Sequence, residues 1–143
     1  MKIGIVVSRY NQNITQALLD GAKTVLKKSG VKVDANDVAW VPGSFELPVA
    51  VAAMASSKKY GAVIALGCIL KGETSHNHYI ALAVAEGLMQ VMLSTGIPVT
   101  FGVLTTDTMG QAKARAGKGT ANKGMEAAEA ALEMAGIIPK LKG

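Results

Sequence analysis

Ile3-Gly4-Ile5-Val6-Val7-Ser8 runs Ile, Val and Val together between the polar flanks Lys2 and Arg9. A strand with one wet face alternates apolar and polar residues, so an unbroken run belongs to a strand covered on both faces. Further along, residues 14–29 show helical spacing (Ile14, Leu18, Leu19, Ala22, Val25, Leu26) and stop at Ser29-Gly30. Val38–Val41 is predicted as a short second strand, closed by Pro42-Gly43. Residues 46–57 read as a helix with Pro48 in its first turn, where a missing N–H is tolerated. A third strand over 62–66, a third helix over 78–93 and a fourth strand over 98–103 follow. Helices over 108–115 and 122–135 close the pattern, joined by a small-residue, Gly-rich bend at 116–121.

Strands and helices thus alternate four times, and the strands read as continuous apolar runs. This pattern predicts an α/β protein with a four-stranded parallel sheet between two helical layers, the doubly wound αβα sandwich. The 143 residues suit one domain over the whole chain, 1–143, without repeats or linkers. Half of the chain is hydrophobic and 17% is charged, which excludes disorder. No apolar stretch approaches the roughly 20 residues that span a bilayer. Met1-Lys2-Ile3 enters the first strand directly, with no signal-peptide layout, so a cytoplasmic, membrane-free protein is expected. The single Cys68 excludes an internal disulfide and a cysteine metal site. A net charge of +5 comes from scattered Lys and Arg, with only two Phe, three Tyr and one Trp. Without aromatic platforms between the cations, a small anionic substrate explains that charge better than nucleic acid does.

Ligands of such sheets bind outside the carboxyl ends of the strands. Segments 8–11, 42–46, 67–76 and 104–107 therefore converge, and Gly43, Gly67, Gly72 and Gly102 are expected at or just beyond strand ends. Gly67-Cys68-Ile69-Leu70-Lys71-Gly72-Glu73-Thr74 nearly matches the phosphate loop G-x-x-x-x-G-K-[ST], but Glu73 replaces the lysine, which excludes a nucleotide-hydrolysing P-loop. The backbone around 72–74 can still hold a single phosphate, or the segment is an ordinary strand-to-helix loop. His76 and His78 are the only histidines and have no third ligand, so no metal is expected. His76 suits acid–base work near neutral pH, with capping of the following helix as the plain alternative. Arg115 and Lys123 flank the Gly-rich bend. Arg115 can grip an anion with two parallel hydrogen bonds, while the plain reading of both is a solvated surface. Tyr10-Asn11 offers a flat ring beside an amide, or a core tyrosine. Asp107 reads as a helix N-cap, and Glu126, Glu129 and Glu133 as a solvated helix face.

Taken in order, Arg9-Tyr10-Asn11, Val41-Pro42-Gly43-Ser44-Phe45-Glu46-Leu47-Pro48, Lys71-Gly72-Glu73-Thr74-Ser75-His76, Phe101-Gly102-Val103-Leu104-Thr105-Thr106-Asp107, Arg115-Ala116-Gly117 and Asn122-Lys123-Gly124 form a pattern. It resembles the 6,7-dimethyl-8-ribityllumazine synthase family from Lys2 to about Gly136. The resemblance implies a flavodoxin-like sheet. It also implies condensation of 5-amino-6-ribitylaminopyrimidinedione with 3,4-dihydroxy-2-butanone 4-phosphate, with no metal or organic cofactor. Carried over by position, His76 moves protons, and Arg115 with the Glu73-Thr74 backbone holds phosphate. Tyr10 stacks on the pyrimidine, and Asn11 with Ile69-Leu70 lines its edge. Ser44 and Glu46 bind the ribityl hydroxyls, and Phe45 shapes the cleft. Phe101 and Lys123 complete the site from a neighbouring subunit. The implied assembly is a homo-oligomer built on a pentamer, with functional coupling to riboflavin synthase.

Three departures stand out. Tyr10 replaces the usual Phe or Trp, and His78 stands where an acidic residue is common. No extra segment precedes the first strand, an expectation against capsid assembly that the short 116–121 bend opposes. The rivals are a riboflavin synthase of the archaeal type, a non-catalytic flavin- or phosphate-binding module, and a phosphoacceptor receiver. Ser8-Arg9 and Gly67-Cys68 stand where the receiver needs acidic residues.

Overall fold

Apolar residues on both faces of Ile3–Ser8 (β1) bury every side chain of that strand between two helical layers. The structure, a computed structural model, describes residues 1–73, 76–119 and 121–143, with the side chain of residue 73 outside the description. After β1 come helix α1 (Gln12–Lys28), strand β2 (Val38–Val41), helix α2 (Leu47–Ser56), strand β3 (Ala62–Leu70) and helix α3 (Asn77–Thr95). Strand β4 (Val99–Thr106) and helices α4 (Met109–Ala116) and α5 (Lys123–Lys142) complete the chain. The four strands form one parallel sheet in the order β2-β1-β3-β4. This is the flavodoxin-like three-layer sandwich that the alternation predicts.

Parallel neighbours need a crossover, and each crossover here carries a helix. Ile5, Val7, Ile64, Leu66 and Leu104 face α1, α4 and α5. Val6, Val63, Ala65, Ile69 and Val103 face α2 and α3. Each fully buried Ile or Leu in these layers contributes about 1.5–3 kcal/mol relative to exposure. The chain leaves β1 first toward β2 and later returns to β3 on its other side. That reversal opens a crevice at the carboxyl ends of β1 and β3.

Several boundaries differ from the sequence reading. Strand β3 runs on through Gly67-Cys68-Ile69-Leu70, which pair with Val103-Leu104-Thr105-Thr106 of a longer β4. Gly67 and Gly102 are therefore paired strand residues rather than bends at strand ends. A Cβ on Gly102 would lie 2.5 Å from Leu66 Cδ2 and 3.0 Å from the Ala65 carbonyl oxygen, so close packing explains that glycine. Asn122 stands just before α5 as its cap, accepting a hydrogen bond from Met125 N at 3.0 Å. The same helix continues past residue 135, where the sequence reading ends it, through Gly136 and Pro139 to Lys142. Thr108, rather than Asp107, caps α4: its Oγ1 accepts from Gln111 N at 3.2 Å.

At the amino end of the sheet, Asp37 is only 3% exposed. Its carboxylate accepts from Lys2 Nζ at 3.0 Å, Asp34 N at 2.9 Å and Tyr60 Oη at 3.0 Å. Burial pushes the Asp37 carboxyl up, but the Asp34 N–H, the Lys2 ammonium and the Tyr60 hydroxyl outweigh it and hold the group below its ordinary value. The folded state therefore favours the charged carboxylate. Its stabilisation is complete above about pH 4 and is lost as pH falls through the depressed folded value. Asp37→Asn is expected to lower the melting temperature at pH 7 and to differ progressively less from wild type below about pH 4. Thermal melts at fixed protein concentration across pH 7 to 2.5 check this; a gap that stays constant would leave packing, not charge, as the cause.

Candidate active site

Beyond β1 the ladder with β2 continues through loop backbone: Arg9 N donates to the Val41 carbonyl at 2.8 Å and Tyr10 N to the Pro42 carbonyl at 3.1 Å. These bonds set the Tyr10 ring beside the Pro42-Gly43 corner. Asn11 then takes the left-handed conformation (φ 62°, ψ 48°), which asparagine tolerates better than most residues. Its Nδ2 donates to the Cys68 carbonyl at 3.2 Å, tying the reversal into α1 to β3. The facing wall is the single turn Ser44–Glu46, closed by Gly43 N donating to Glu46 Oε1 at 2.9 Å. Ser44 is buried, and its Oγ sits 2.6 Å from where a Cβ on Gly67 would stand.

Between these walls lies a cleft of about 260 Å³. Tyr10, Ser44, Phe45, Glu46, Ile69 and Leu70 line it, all of them candidates from the sequence, and the structure adds Gly43, Cys68 and Ile80. Tyr10 is 57% and Phe45 64% exposed, which excludes the core-tyrosine reading and leaves two aromatic faces open to a ligand. Ile80 was absent from the sequence reading. It stands one helical turn after His76, a spacing that would have found it.

Phe101, Arg115 and Lys123 line a different concavity, of about 510 Å³, together with Val103, Thr105 and Glu126. Arg115, grouped by the sequence with the 73–74 backbone, stands here in the last turn of α4. Lys123 opens α5, and its Nζ lies 3.2 Å from Glu126 Oε1, so Glu126 stands on the solvated face as expected and also joins this charged cluster. The sequence therefore contains two sets of site residues that one chain keeps apart.

His76 occupies the N-cap position of α3, exposed, and its side chain makes no cap hydrogen bond. The plain alternative's surface position at the start of the helix is thus the one observed, without the side-chain cap bond. Its carbonyl accepts from Ile80 N at 3.0 Å. Thr74 and the Glu73 side chain lie outside the described residues, and with them part of the 72–74 phosphate reading. Lys71 Nζ approaches Asp107 Oδ1 at 4.0 Å across the same end of the sheet, a pairing that sequence spacing cannot reveal. Among the described residues, no group of three His, Cys, Asp or Glu side chains is placed to hold a metal ion. No described helix is long and apolar enough to cross a membrane.

A family model for 6,7-dimethyl-8-ribityllumazine synthase matches residues 1–138. The chain belongs to this family. Membership makes it a transferase-type enzyme of riboflavin biosynthesis. For a lumazine synthase family member the crevice between β1 and β3 is also where the fold itself locates a ligand.

Close packing around Gly67 gives a direct check on how this cleft is built. Gly67→Ala is expected to cost about 1–3 kcal/mol, because its Cβ would meet Ser44 Oγ at 2.6 Å. Ser44→Ala in the same chain should recover part of that loss in chemical denaturation. No recovery would mean that Ser44 does not press on Gly67.

Proposed function

We propose that the protein condenses 5-amino-6-(D-ribitylamino)pyrimidine-2,4-dione with 3,4-dihydroxy-2-butanone 4-phosphate to 6,7-dimethyl-8-ribityllumazine, releasing phosphate and water. The observation that carries this reading is the convergence of Tyr10, Ser44, Phe45, Glu46, Ile69 and Leu70, from three chain segments, on one cleft. Tyr10 stacks on the pyrimidine, and Asn11 with the Ile69-Leu70 segment lines its edge. Ser44 and Glu46 accept hydrogen bonds from the ribityl hydroxyls, the Glu46 carboxylate being held by the Gly43 N–H. Phe45 closes one side. The amine forms a Schiff base with the ketone and expels water, phosphate leaves, and ring closure with loss of a second water gives the lumazine. His76 moves protons in these steps. Arg115, with Lys123 and the Glu73-Thr74 backbone, holds the phosphate while it is bound and as it departs. Orienting two reactants side by side supplies much of the acceleration.

The site of this reading lies between subunits. A cleft of about 260 Å³ falls short of the roughly 300–1,000 Å³ that encloses a whole small ligand. The cations needed for phosphate line the other concavity of the same chain. Leu82, Met89 and Leu93 on α3, with Phe101 on the edge strand β4, leave an exposed apolar face suited to a second copy. A head-to-tail ring, a pentamer in this reading, sets the cleft of one subunit against Phe101, Arg115 and Lys123 of the next.

Incubation with both substrates should give lumazine absorbance and released phosphate together; no product at any enzyme concentration would remove the reading. Riboflavin formed from lumazine alone would instead favour the archaeal-type riboflavin synthase. His76→Ala is expected to lower turnover by about 10 to 100-fold, at or below the usual range for an acid–base residue because substrate amines and water take over some transfers. The split site has its own check. Glu46→Ala and Arg115→Ala, each impaired alone, should regain about a quarter of wild-type activity when co-assembled in equal amounts, since one site in four then has both halves intact. Activity no higher than the average of the two variants would place both residues in one subunit's site.

A further inference from the structure

The sequence marks Arg115 and Lys123 as the cations flanking a Gly-rich bend, and the structure brings this exposed arginine and half-buried lysine to one concavity. The residue between bend and lysine is Asn122. It is 3% exposed, and its amide is used at both ends. The two N–H of Nδ2 are shared among the carbonyls of Ala116 at 2.9 Å, Gly117 at 3.1 Å and Ala17 at 3.3 Å. Oδ1 accepts from Met125 N at 3.0 Å, which caps α5. One side chain thus joins the carboxyl end of α4, directly after Arg115, to the amino end of α5, directly before Lys123, and pins both to α1. Carbonyls at a helix end lack intrahelical partners, so the bond to Ala116 also satisfies a buried group that would otherwise be unpaired.

Two glycines make room for this junction. A Cβ on Gly21 of α1 would stand 2.5 Å from Asn122 Oδ1, and one on Gly124 would collide with the Leu18 carbonyl. Helices α1 and α5 approach closely here, and the amide fills the space left between them. Among the described residues of the bend, Gly117 and Gly119 carry no side chain, Gly119 stands at φ 122°, and the Gly119 carbonyl accepts from Asn122 N at 3.3 Å.

We propose that Asn122 is a positioning residue that sets the separation and direction of Arg115 and Lys123, and through them the affinity for the phosphate-bearing reactant. This rests on the reading of those two cations as the phosphate holders. Neither Asn122 atom has to touch substrate for the effect, since a small misplacement of a gripping side chain weakens the grip without altering the chemistry.

Asn122→Ser separates the two functions of the amide. A serine oxygen can still cap α5, but it carries no amide to donate to the 116 and 117 carbonyls. Thr108→Ala, which removes the cap at the far end of α4, serves as a destabilised control without a tether. The apparent KM for the butanone phosphate and the inhibition constant of inorganic phosphate are both expected to rise about tenfold in Asn122→Ser. The KM for the pyrimidine should stay within about twofold of wild type, and Thr108→Ala should move neither phosphate constant, whatever its melting temperature. Equal changes in both KM values, or the same phosphate loss in Thr108→Ala, would reduce Asn122 to a purely structural role and overturn the proposal. Calorimetric titration of wild type and Asn122→Ser with inorganic phosphate keeps the question apart from the reaction. If wild type binds phosphate but makes no lumazine, the reaction is wrong while weaker binding by the variant still supports Asn122. Equal phosphate binding by the two, or none by wild type, overturns it.

Discussion

Strand β3 hydrogen-bonds to a parallel neighbour on each side, to β1 from Ala62 to Leu66 and to β4 from Val63 to Leu70. Every side chain along it is buried. A strand paired on both edges and covered on both faces has no freedom of register, because a slip of one residue would exchange its two apolar faces. The last four residues, Gly67 to Leu70, extend past the end of the pairing with β1 while still held by β4. They form the floor onto which Asn11, Ser44 and the Tyr10 loop are fastened. Removing the Gly67 hydrogen for a methyl group would disturb that floor because the Ser44 turn rests directly on it.

Stability and chemistry occupy opposite ends of this sheet. At the amino end, the buried Asp37 carboxylate gathers a lysine, a tyrosine hydroxyl and a backbone N–H. A charge so deep is tolerable only with its partners in place. At the carboxyl end the Tyr10 and Phe45 rings and the Arg115 guanidinium are exposed, open where a ligand can reach them. In the proposed reading the costly buried charge thus lies at the end of the sheet away from the substrates. Placing the cation pair in a second concavity, away from the aromatic cleft, makes a single chain an incomplete enzyme in the proposed reading. The exposed face of α3 and β4 gives that reading its physical basis.

The unbroken apolar run of β1, the helical spacing after it and the repeated alternation were legible without coordinates, since period and burial are local properties of the chain. So were Tyr10, Ser44, Phe45 and Glu46, because polar and aromatic residues gathered after strand ends are unusual and the topology directs them to one place. Boundaries were less legible. Gly67 and Gly102 look like bends in a sequence, yet pairing across β3 and β4 and the pressure of Leu66 keep them extended. The last helix, read as ending at 135, continues through Pro139 to Lys142.

What the amino-acid order determined by itself was the class of fold and most of the residues that line the cleft. The grouping of the candidate residues was decided only in three dimensions. Arg115 lies with Phe101 and Lys123 and not with the Tyr10 cleft, Ile80 joins the cleft from the next helix, and Asn122 spans three helices from one buried position. Sequence spacing carries the periodicity of a helix or a strand. It holds no record of which carbonyl a single amide will reach after the chain has crossed the sheet, because that distance is set by the packing of α1, α4 and α5 together.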